Sequence, residues 1–169
     1  MSIKSEAYRD VLRHFPAGVT IVTMKAVDVE SPHGLTISAF SSISPEPPLV
    51  MITIDNRNYA CDLLDRPGTV FAVNILAHDQ MELSNRFAWV KDEDRFAVGQ
   101  WGTAATGAPV LENSLAWLDC AVFASHQAGT NTIYIGEVQA SEVVRPDEAP
   151  LIYWNRKYRH LEHSSDKKL

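Results

Sequence analysis

The chain has 169 residues, 46% of them hydrophobic and 21% charged, which fits a single globular domain with its own core. Fifteen Lys and Arg against 21 Asp and Glu give a formal net charge of −6, so we expect no nucleic-acid partner and no membrane partner. No apolar run reaches membrane-span length, and Cys61 and Cys120 have neither metal-ligand nor disulfide-framework spacing, which predicts a soluble cytoplasmic protein with free thiols.

The first part of the chain is predicted to contain two helices and three strands. Ala7, Val11 and Phe15 fall on one apolar helix face, and β-branched runs predict the strands. Three prolines between positions 45 and 48 are expected to exclude a regular ladder there. The predicted elements, in order, are a helix over 5–15, strands over 19–24, 35–38 and 49–54, and a helix over 60–64.

The second part of the chain is predicted to contain one helix and four strands. Asp79 and Glu82 have the spacing of a capping box, which marks the start of a helix. Residues 88–113 combine a charge cluster with several glycines and are expected to be irregular. The predicted elements, in order, are a strand over 69–76, a helix over 80–87, and strands over 115–123, 132–144 and 151–154.

About seven strands and two or three short helices indicate a mainly β fold. The connections are mostly too short for helical crossovers, so the strands are expected to pair antiparallel. This pattern favours a small barrel with helices packed at its rim over a doubly wound sheet. Residues 1–162 are predicted to form the single domain, and 163–169 a polar C-terminal tail.

The familiar catalytic motifs do not occur in this sequence. It has no Gly-rich phosphate loop, no nucleophile elbow and no metal-ligand spacing, and its six histidines lie in different segments. We therefore predict no metal site, and we expect loops to hold any bound phosphate or cofactor.

Two hydroxyl-rich or charged segments are candidate ligand sites. Five of the nine residues over 36–44 carry hydroxyl groups, and such small side chains let a planar ligand approach the backbone. The turn over 55–58, with Arg57 ahead of a helix, can form an anion site. The structural alternatives are a Ser-rich edge strand before a proline turn, and a solvated turn.

Three further segments allow both a functional and a structural interpretation. The aromatic and charged residues over 87–96 suit a lid over a flat ligand, or ordinary packing. Gly136, in the strand after the turn at 129–131, indicates a bulge or a close approach. The aromatic and basic run over 153–159 suits stacking on a base and contact with phosphate, or sealing of the barrel.

An ordered set of short motifs carries a resemblance over nearly the whole chain. The matching stretches are FPAGV at 15–19, HGLTISAFSSIS at 33–44, PPLV at 47–50, FAVNIL at 71–76, FA at 87–88, RF at 95–96, GAPVL at 107–111, LDC at 118–120, IGEV at 135–138 and PLIY at 150–153. Taken in this order, they resemble the short-chain flavin reductase family, the reductase components of two-component flavin-dependent monooxygenases.

The resemblance implies an FMN-binding split β-barrel of Greek-key type that works as a homodimer. It implies an NAD(P)H:flavin oxidoreductase, in which NADH or NADPH gives a hydride to FMN or FAD and a partner monooxygenase receives the reduced flavin. Such a transfer needs ring stacking rather than a protein acid or base. The alternatives are a flavin carrier or sensor of the same fold, and an oxidase of the pyridoxamine-phosphate type. The second alternative lacks a spare Arg/Lys cluster for a substrate phosphate.

The resemblance also implies the residues of the site. Backbone and side chains over 36–41 would line the flavin ring, those over 55–58 would lie along its ribityl and phosphate groups, and those over 87–88 would close over it, from the same chain or across the dimer. The implied flavin-binding residues are Thr36, Ile37, Ser38, Ala39, Phe40, Ser41, Asp55, Asn56, Arg57, Asn58, Phe87, Ala88 and Arg95, and the implied nicotinamide-binding residues are Asn131, Tyr153, Arg156 and Tyr158.

Two residues depart from the family pattern. Asn131 stands where the family often has a His that is linked to nucleotide binding, and an amide cannot become cationic. Arg156 stands two residues before Tyr158, where the family usually has Gly. Both changes bear on nicotinamide binding, and they motivate the carrier or sensor alternative.

Overall fold

The structure is a computed structural model that describes residues 3–90 and 94–161. The predicted tail over 163–169, and its boundary at 162, lie outside the described residues. Within the described ranges the helices are α1 (Ser5–Leu12), α2 (Tyr59–Leu64), α3 (Met81–Trp89) and a 3₁₀ helix (Arg95–Ala97). The strands are β1 (Ala17–Gly18), β2 (Thr20–Lys25), β3 (His33–Ile37), β4 (Phe40–Pro45), β5 (Pro48–Asp55), β6 (Val70–Ile75), β7 (Trp101–Thr103), β8 (Pro109–Leu111), β9 (Ala116–Ala128), β10 (Asn131–Val143), β11 (Ile152–Trp154) and β12 (Lys157–Arg159).

Seven strands form one antiparallel sheet in the order β3-β2-β6-β9-β10-β5-β4. The edge strands β3 and β4 follow each other in the chain, and only Ser38 and Ala39 join them. The two edges of the sheet therefore meet at this link, which is the arrangement that a curled, partly closed sheet needs. The mainly β, antiparallel fold with flanking helices is confirmed, whereas full closure into a barrel stays a prediction.

The smaller sheets lie outside this main sheet. Strands β1, β11 and β12 form a three-stranded sheet, and β7 and β8 form a hairpin. A single backbone bridge between Ala77 and Pro150 adds to these pairings. No helix in the described ranges is long and apolar enough to span a membrane.

The core divides into two main clusters that the sheet positions under different helices. One packs Val22, Ile52 and Phe71 of the sheet against the buried face of α2. The other packs Ile21 and Leu76 with buried residues of α3, Phe87 among them. Full burial of an apolar side chain of this size contributes about 1.5–3 kcal/mol to the free energy of unfolding. Because Val22 and Ile21 are adjacent on β2, this strand is covered on both faces.

The proline-rich segment is more regular than its sequence suggests. Strand β4 pairs with β5, and Pro45 lies opposite Pro48. The expectation that prolines exclude a ladder here is wrong, since β4 is an edge strand and its outer side needs no ladder donor. The predicted irregular segment likewise contains the 3₁₀ helix and the β7–β8 hairpin.

The predicted capping box does not form. The Asp79 carboxylate accepts two hydrogen bonds of 2.9 Å from Arg145, so it does not cap α3. Gln80 precedes the helix instead, and its Oε1 accepts a 2.9 Å bond from the backbone N–H of Ala77. The first helix is also shorter than predicted, and none of its residues is buried.

Candidate functional site

A cleft of about 320 Å³ opens at the link between the two sheet edges. Three parts of the chain form its walls: the end of β3 with the link, the outer face of α3, and the β11–β12 hairpin. The lining residues are Val19, Thr36, Ile37, Ser38, Asn85, Ala88, Trp89, Tyr153, Arg156 and Tyr158.

A hydrogen-bond network joins the walls of this cleft. The Thr36 hydroxyl donates to the Ser84 carbonyl at 2.7 Å, and the Ser84 hydroxyl lies 2.8 Å from that of Tyr158. Tyr158 in turn donates to Asn85 Oδ1 at 3.1 Å. Ser84 is fully buried, so this network fixes β3, α3 and β12 relative to one another.

The β3 wall presents main-chain groups to the cleft. The Thr36 hydroxyl donates to Ser84, so its proton is not available to a ligand. As an edge strand, β3 has backbone N–H and C=O groups on its outer side that the sheet does not pair. The Gly34 carbonyl is taken by Arg95 and the Ile37 carbonyl by the Thr20 hydroxyl, so the backbone groups that can meet the rim of a flat ligand are those at Thr36 and Ser38.

The hairpin wall is built on a strained two-residue turn. Asn155 and Arg156 have φ angles of 49° and 61°, the left-handed conformations of a type I′ turn. Gly is the usual second residue of such a turn, and a left-handed non-Gly residue costs about 1–2 kcal/mol. The turn sets the Tyr153 and Tyr158 rings 5.5 Å apart, and all three side chains at 153, 156 and 158 line the cleft.

A second cleft of about 770 Å³ lies where the 55–58 turn meets the 129–131 turn. The two turns are linked, because Asn56 N–H donates to the Thr130 carbonyl at 3.0 Å and Thr132 donates to Asn56 Oδ1 at 2.8 Å. The lining residues are Ser5, Tyr8, Arg9, Asp55, Asn56, Arg57, Gly129, Thr130 and Asn131.

Arg57 is already engaged within its own turn. Its Nε and Nη2 donate to the two Asp55 carboxylate oxygens at 2.9 and 2.7 Å. This guanidinium holds the pKa of the Asp55 carboxyl well below its usual range. Arg57 is almost fully exposed and Asp55 is half-buried, so the pair contributes little to stability, and Arg57 can turn toward an anionic ligand at small cost.

The structure separates the predicted site residues into three groups. Seven of them line the first cleft: Thr36, Ile37, Ser38, Ala88, Tyr153, Arg156 and Tyr158. Four line the second cleft: Asp55, Asn56, Arg57 and Asn131. The other six line neither cleft: Ala39, Phe40, Ser41, Asn58, Phe87 and Arg95.

Three residues of the third group support the clefts from behind. Phe87 is buried, and its ring packs edge-on against Phe96 at 5.2 Å. Arg95 donates to the carbonyls of Gly34 and Val90, both at 2.6 Å, and so ties β3 to the end of α3. Asn58 caps α2 by accepting a 3.0 Å bond from Ala60 N–H.

Sequence reasoning missed three residues of the first cleft, namely Val19, Asn85 and Trp89. Asn85 and Trp89 are one helical turn apart and flank Ala88, so they share its face of α3. Trp89, which is 76% exposed, belongs to the 87–96 segment whose sequence suits a lid over a flat ligand, so its signal was present although the implied site residues omit it.

Comparison with known proteins decides the family. Residues 12–162 match the family model described as a flavin reductase like domain. The chain belongs to this flavin reductase family. The resemblance in its short motifs is thereby confirmed.

Relatives of this flavin reductase domain include two bacterial reductases. The chain is 37% identical over 153 residues to the "FADH(2)-dependent resorcinol hydroxylase, reductase component" of Rhizobium sp. (strain MTP-10005), across 89% of this chain and 84% of the relative. It is also 37% identical over 155 residues to an "NADH-dependent flavin reductase" of Rhodococcus sp, across 91% of this chain and 85% of the relative.

Solved structures share the flavin reductase fold over almost the full length. The Streptomyces globisporus C-1027 NADH:FAD oxidoreductase SgcE6, solved in complex with NAD and FAD fragments, superimposes with a TM-score of 0.86 at 29% identity and covers 98% of this chain and 99% of its own. BorF, the flavin reductase component of a bacterial two-component tryptophan halogenase, gives a TM-score of 0.83 at 30% identity, over 95% of this chain and all of its own.

Proposed function

We propose that this protein is an NAD(P)H-dependent flavin reductase. It transfers a hydride from NADH or NADPH to FMN or FAD and supplies the reduced flavin to a partner monooxygenase. The observation that carries this conclusion is the flavin reductase like domain over 12–162, whose first cleft lies against the unpaired edge of β3. Relatives named as reductase components of a hydroxylase and a halogenase support the same role.

The residues of the first cleft fit a flavin ring. An isoalloxazine is flat, with apolar faces and a polar rim. Val19, Ile37 and Ala88 offer apolar contact without bulk, and the outer backbone of β3 offers donors and acceptors for the rim. When bound there, the flavin supplies the hydride-accepting chemistry.

The residues of the chain then position the flavin and nicotinamide rings. Tyr153 and Tyr158 face the end of β3 across the cleft, so we assign them to the nicotinamide side of the flavin. The network through Ser84 holds both sides at a fixed separation, which is what stacking of two rings for hydride transfer requires. Trp89 lines the cleft and is largely exposed, so we assign it to cover the bound ring on its solvent side.

The second cleft is assigned to the polar end of the ligands. We place the ribityl and phosphate groups of the flavin along residues 55–58, with Arg57 turning from Asp55 toward the phosphate. Asn131 lines the same cleft and is assigned to nucleotide binding. Phe87 and Arg95 are positioning residues, because both act on β3 rather than on the ligand. The flavin-ring contacts at Ala39, Phe40 and Ser41, and a flavin role for Asn58 beyond capping α2, stay predictions.

We further propose a cytoplasmic homodimer of split barrels, each formed by one domain over 1–162. The meeting of the two sheet edges at Ser38 and Ala39 supports the split barrel. Val11 on α1 and Phe15 just after this helix are 69% and 74% exposed, and this apolar surface supports association with a second chain.

The direct test is anaerobic mixing of the purified protein with excess FMN or FAD and either NADH or NADPH. We expect the visible flavin band to bleach through many equivalents of flavin per protein chain. Stoichiometric flavin binding without multiple turnover would instead favour the carrier or sensor. Absence of bleaching with both donors would exclude the reductase.

A further inference from the structure

Three arginines converge on a third cleft, beside the two assigned to the flavin. The expectation that the chain lacks a spare Arg/Lys cluster is wrong, because the fold brings Arg156 next to Arg9 and Arg13 of the N-terminal segment. This cleft of about 550 Å³ lies between α1 and the β11–β12 hairpin and is lined by Ser5, Glu6, Arg9, Asp10, Arg13 and Arg156. Such a concentration of guanidinium groups is unexpected on a chain with a net charge of −6, since their mutual repulsion must be offset.

The backbone, rather than flexible loops, brings these arginines together. The N–H of Asn155 donates to the Arg13 carbonyl at 2.8 Å, and the Trp154 indole donates to the His14 carbonyl at 3.0 Å. These bonds fix the end of α1 against the hairpin turn. The turn itself holds Arg156 at a φ of 61°.

The acidic neighbours do not fully neutralise the cleft. Asp10 forms a 3.2 Å ion pair with Arg13, and Glu6 is the other carboxylate in the lining. Three guanidinium groups against these two carboxylates leave one positive charge in excess. The Nε of Arg13 is buried and has no hydrogen-bond partner among the described residues, so a movement of this side chain toward an anion would satisfy it.

The arginine cleft connects the two clefts of the proposed active site. Arg156 lines both it and the first cleft, and Arg9 lines both it and the second cleft. A ligand that has its reactive ring in the first cleft and extends along α1 therefore passes the three arginines. The arginines stabilise such a ligand if the part of it that lies along α1 carries negative charge.

We propose that this cleft binds phosphate groups of the nicotinamide dinucleotide that donates the hydride. The inference rests on the proposed reductase function and adds a binding role for Arg9 and Arg13 and a defined ligand group for Arg156. The left-handed backbone of Arg156 supports it, because glycine would fill that turn position without strain, and strain of this kind persists where function requires it.

The experiment compares Arg156→Gly and Arg9→Gln with the wild-type enzyme. Steady-state turnover with NADH and with NADPH gives KM and kcat, and calorimetric titration with ADP-ribose and with 2′-phospho-ADP-ribose gives affinity without turnover. Loss of one charge-assisted bond to phosphate raises the donor KM about tenfold and weakens ADP-ribose binding by the same factor, with kcat within about twofold. Arg156→Lys, which keeps the charge, recovers part of the affinity.

Arg159→Gln is the matched control. It removes one positive charge from the same hairpin, but Arg159 lies over the Trp154 ring at 5.2 Å and does not line the cleft. Its donor KM should stay at the wild-type value.

The outcomes separate the possible phosphates and the two proposals. If the variants lose affinity for NADH and NADPH equally, the cleft binds the pyrophosphate that both donors carry. If they lose more affinity for NADPH, the cleft binds its 2′-phosphate. Both results support the proposal. Unchanged donor KM and ADP-ribose affinity, or a rise confined to the flavin KM, would overturn it. If wild-type protein lacks turnover, the reductase function fails, whereas weaker ADP-ribose binding by the variants would still support the phosphate site.

Discussion

At the scale of single residues, Gly136 shows how one missing side chain decides the packing of the core. A Cβ at this position would lie 2.8 Å from Phe71 Cε1 and 3.0 Å from Cys120 Cβ. The β9–β10 register also shifts between Ile135 and Gly136, which confirms the bulge and close approach that the sequence indicated. The strand bends here so that β10 can pass over the buried Phe71 ring.

Gly136→Ala is therefore expected to destabilise the fold. Overpacking of this kind costs about 1–3 kcal/mol, and each kcal/mol lowers Tm by about 2–4 °C in a chain of this size. Thermal melting followed by circular dichroism measures the shift. Gly18→Ala is the control, because nothing lies within 4 Å of a Cβ at that position, and an equal drop for both variants would contradict this packing argument.

His33 gives a residue-scale prediction on pH. Burial, and secondarily the charge of Arg95, lower the pKa of His33 in the folded state below its usual value of 6.5. Between the folded and unfolded pKa values the unfolded chain binds more protons, so stability rises with pH up to about 6.5 and is lost as pH falls below it.

We expect His33→Gln to flatten this pH dependence. Melting curves between pH 5 and pH 7.5 should show a smaller fall in Tm on acidification for the variant than for the wild type. The exposed His126 supplies a control, since His126→Gln should leave the pH dependence unchanged. An unaltered slope in His33→Gln would refute the assignment. Carboxyl groups with lowered pKa values, such as that of Asp55, affect the stability below pH 4, so they do not contribute to the change in Tm in this window.

At the scale of elements, the contact between α3 and β12 depends on one hydroxyl group. Tyr158→Phe removes the partner of the buried Ser84 hydroxyl and of Asn85 Oδ1. We expect a loss of about 1–3 kcal/mol, because a buried polar group is left unsatisfied. We also expect weaker flavin binding, because α3 and the hairpin are no longer fixed across the cleft.

Two measurements on Tyr158→Phe test this expectation. Chemical denaturation gives the free energy of unfolding, and flavin fluorescence quenching gives the dissociation constant. Tyr8→Phe, which removes a hydroxyl from an exposed position on α1, is the control and should match the wild type in stability. Wild-type stability in Tyr158→Phe would show that the network is dispensable.

The elements also show where sequence reasoning succeeded and where it failed. The strongest hydrophobic runs predicted the bounds of β2, β5 and β6 to within one residue at each end. A continuous run of β-branched and other apolar residues can be recognised in the local sequence. Strand β4 matches the Ser-rich edge strand that the sequence offered as an alternative, but its ladder at Pro45 was not expected, because only a position at the sheet edge makes Pro45 tolerable. The capping role of Asp79 failed because Arg145, 66 residues later in the chain, binds its carboxylate. Neither fact is visible in a local window.

At the scale of the whole molecule, the first cleft was predictable only in part. Local chemistry singled out the hydroxyl-rich run that contains Thr36 and the aromatic run that contains Tyr158. The fold brings them together across more than a hundred residues, and only the family resemblance anticipated that meeting. Phe87 and Arg95 were expected to bind the flavin, but in the structure they pack behind the cleft, since burial and tertiary hydrogen bonds decide which face a residue presents.

Association of two chains gives a prediction for the whole molecule. If the apolar face of α1 lies in a homodimer interface, a charge within it is desolvated on association and favours the monomer. Sedimentation equilibrium should give twice the mass of one chain for the wild type and a mass near one chain for Val11→Asp. Val143→Asp, at a comparably exposed valine on β10, is the control. A dimeric Val11→Asp would place the interface elsewhere.

The link at Ser38 and Ala39 has a mechanical consequence for a protein that must admit and release a ring-shaped molecule in each cycle. Strands β3 and β4 are the outer edges of the sheet and are not paired with each other, so a small rotation at Ser38 can separate them without breaking a ladder hydrogen bond. Ala39 stays anchored during such a rotation, because its carbonyl accepts a 3.0 Å bond from Thr53 N–H. The link borders the cleft through Ser38, so a rotation there changes the shape of the cleft wall directly.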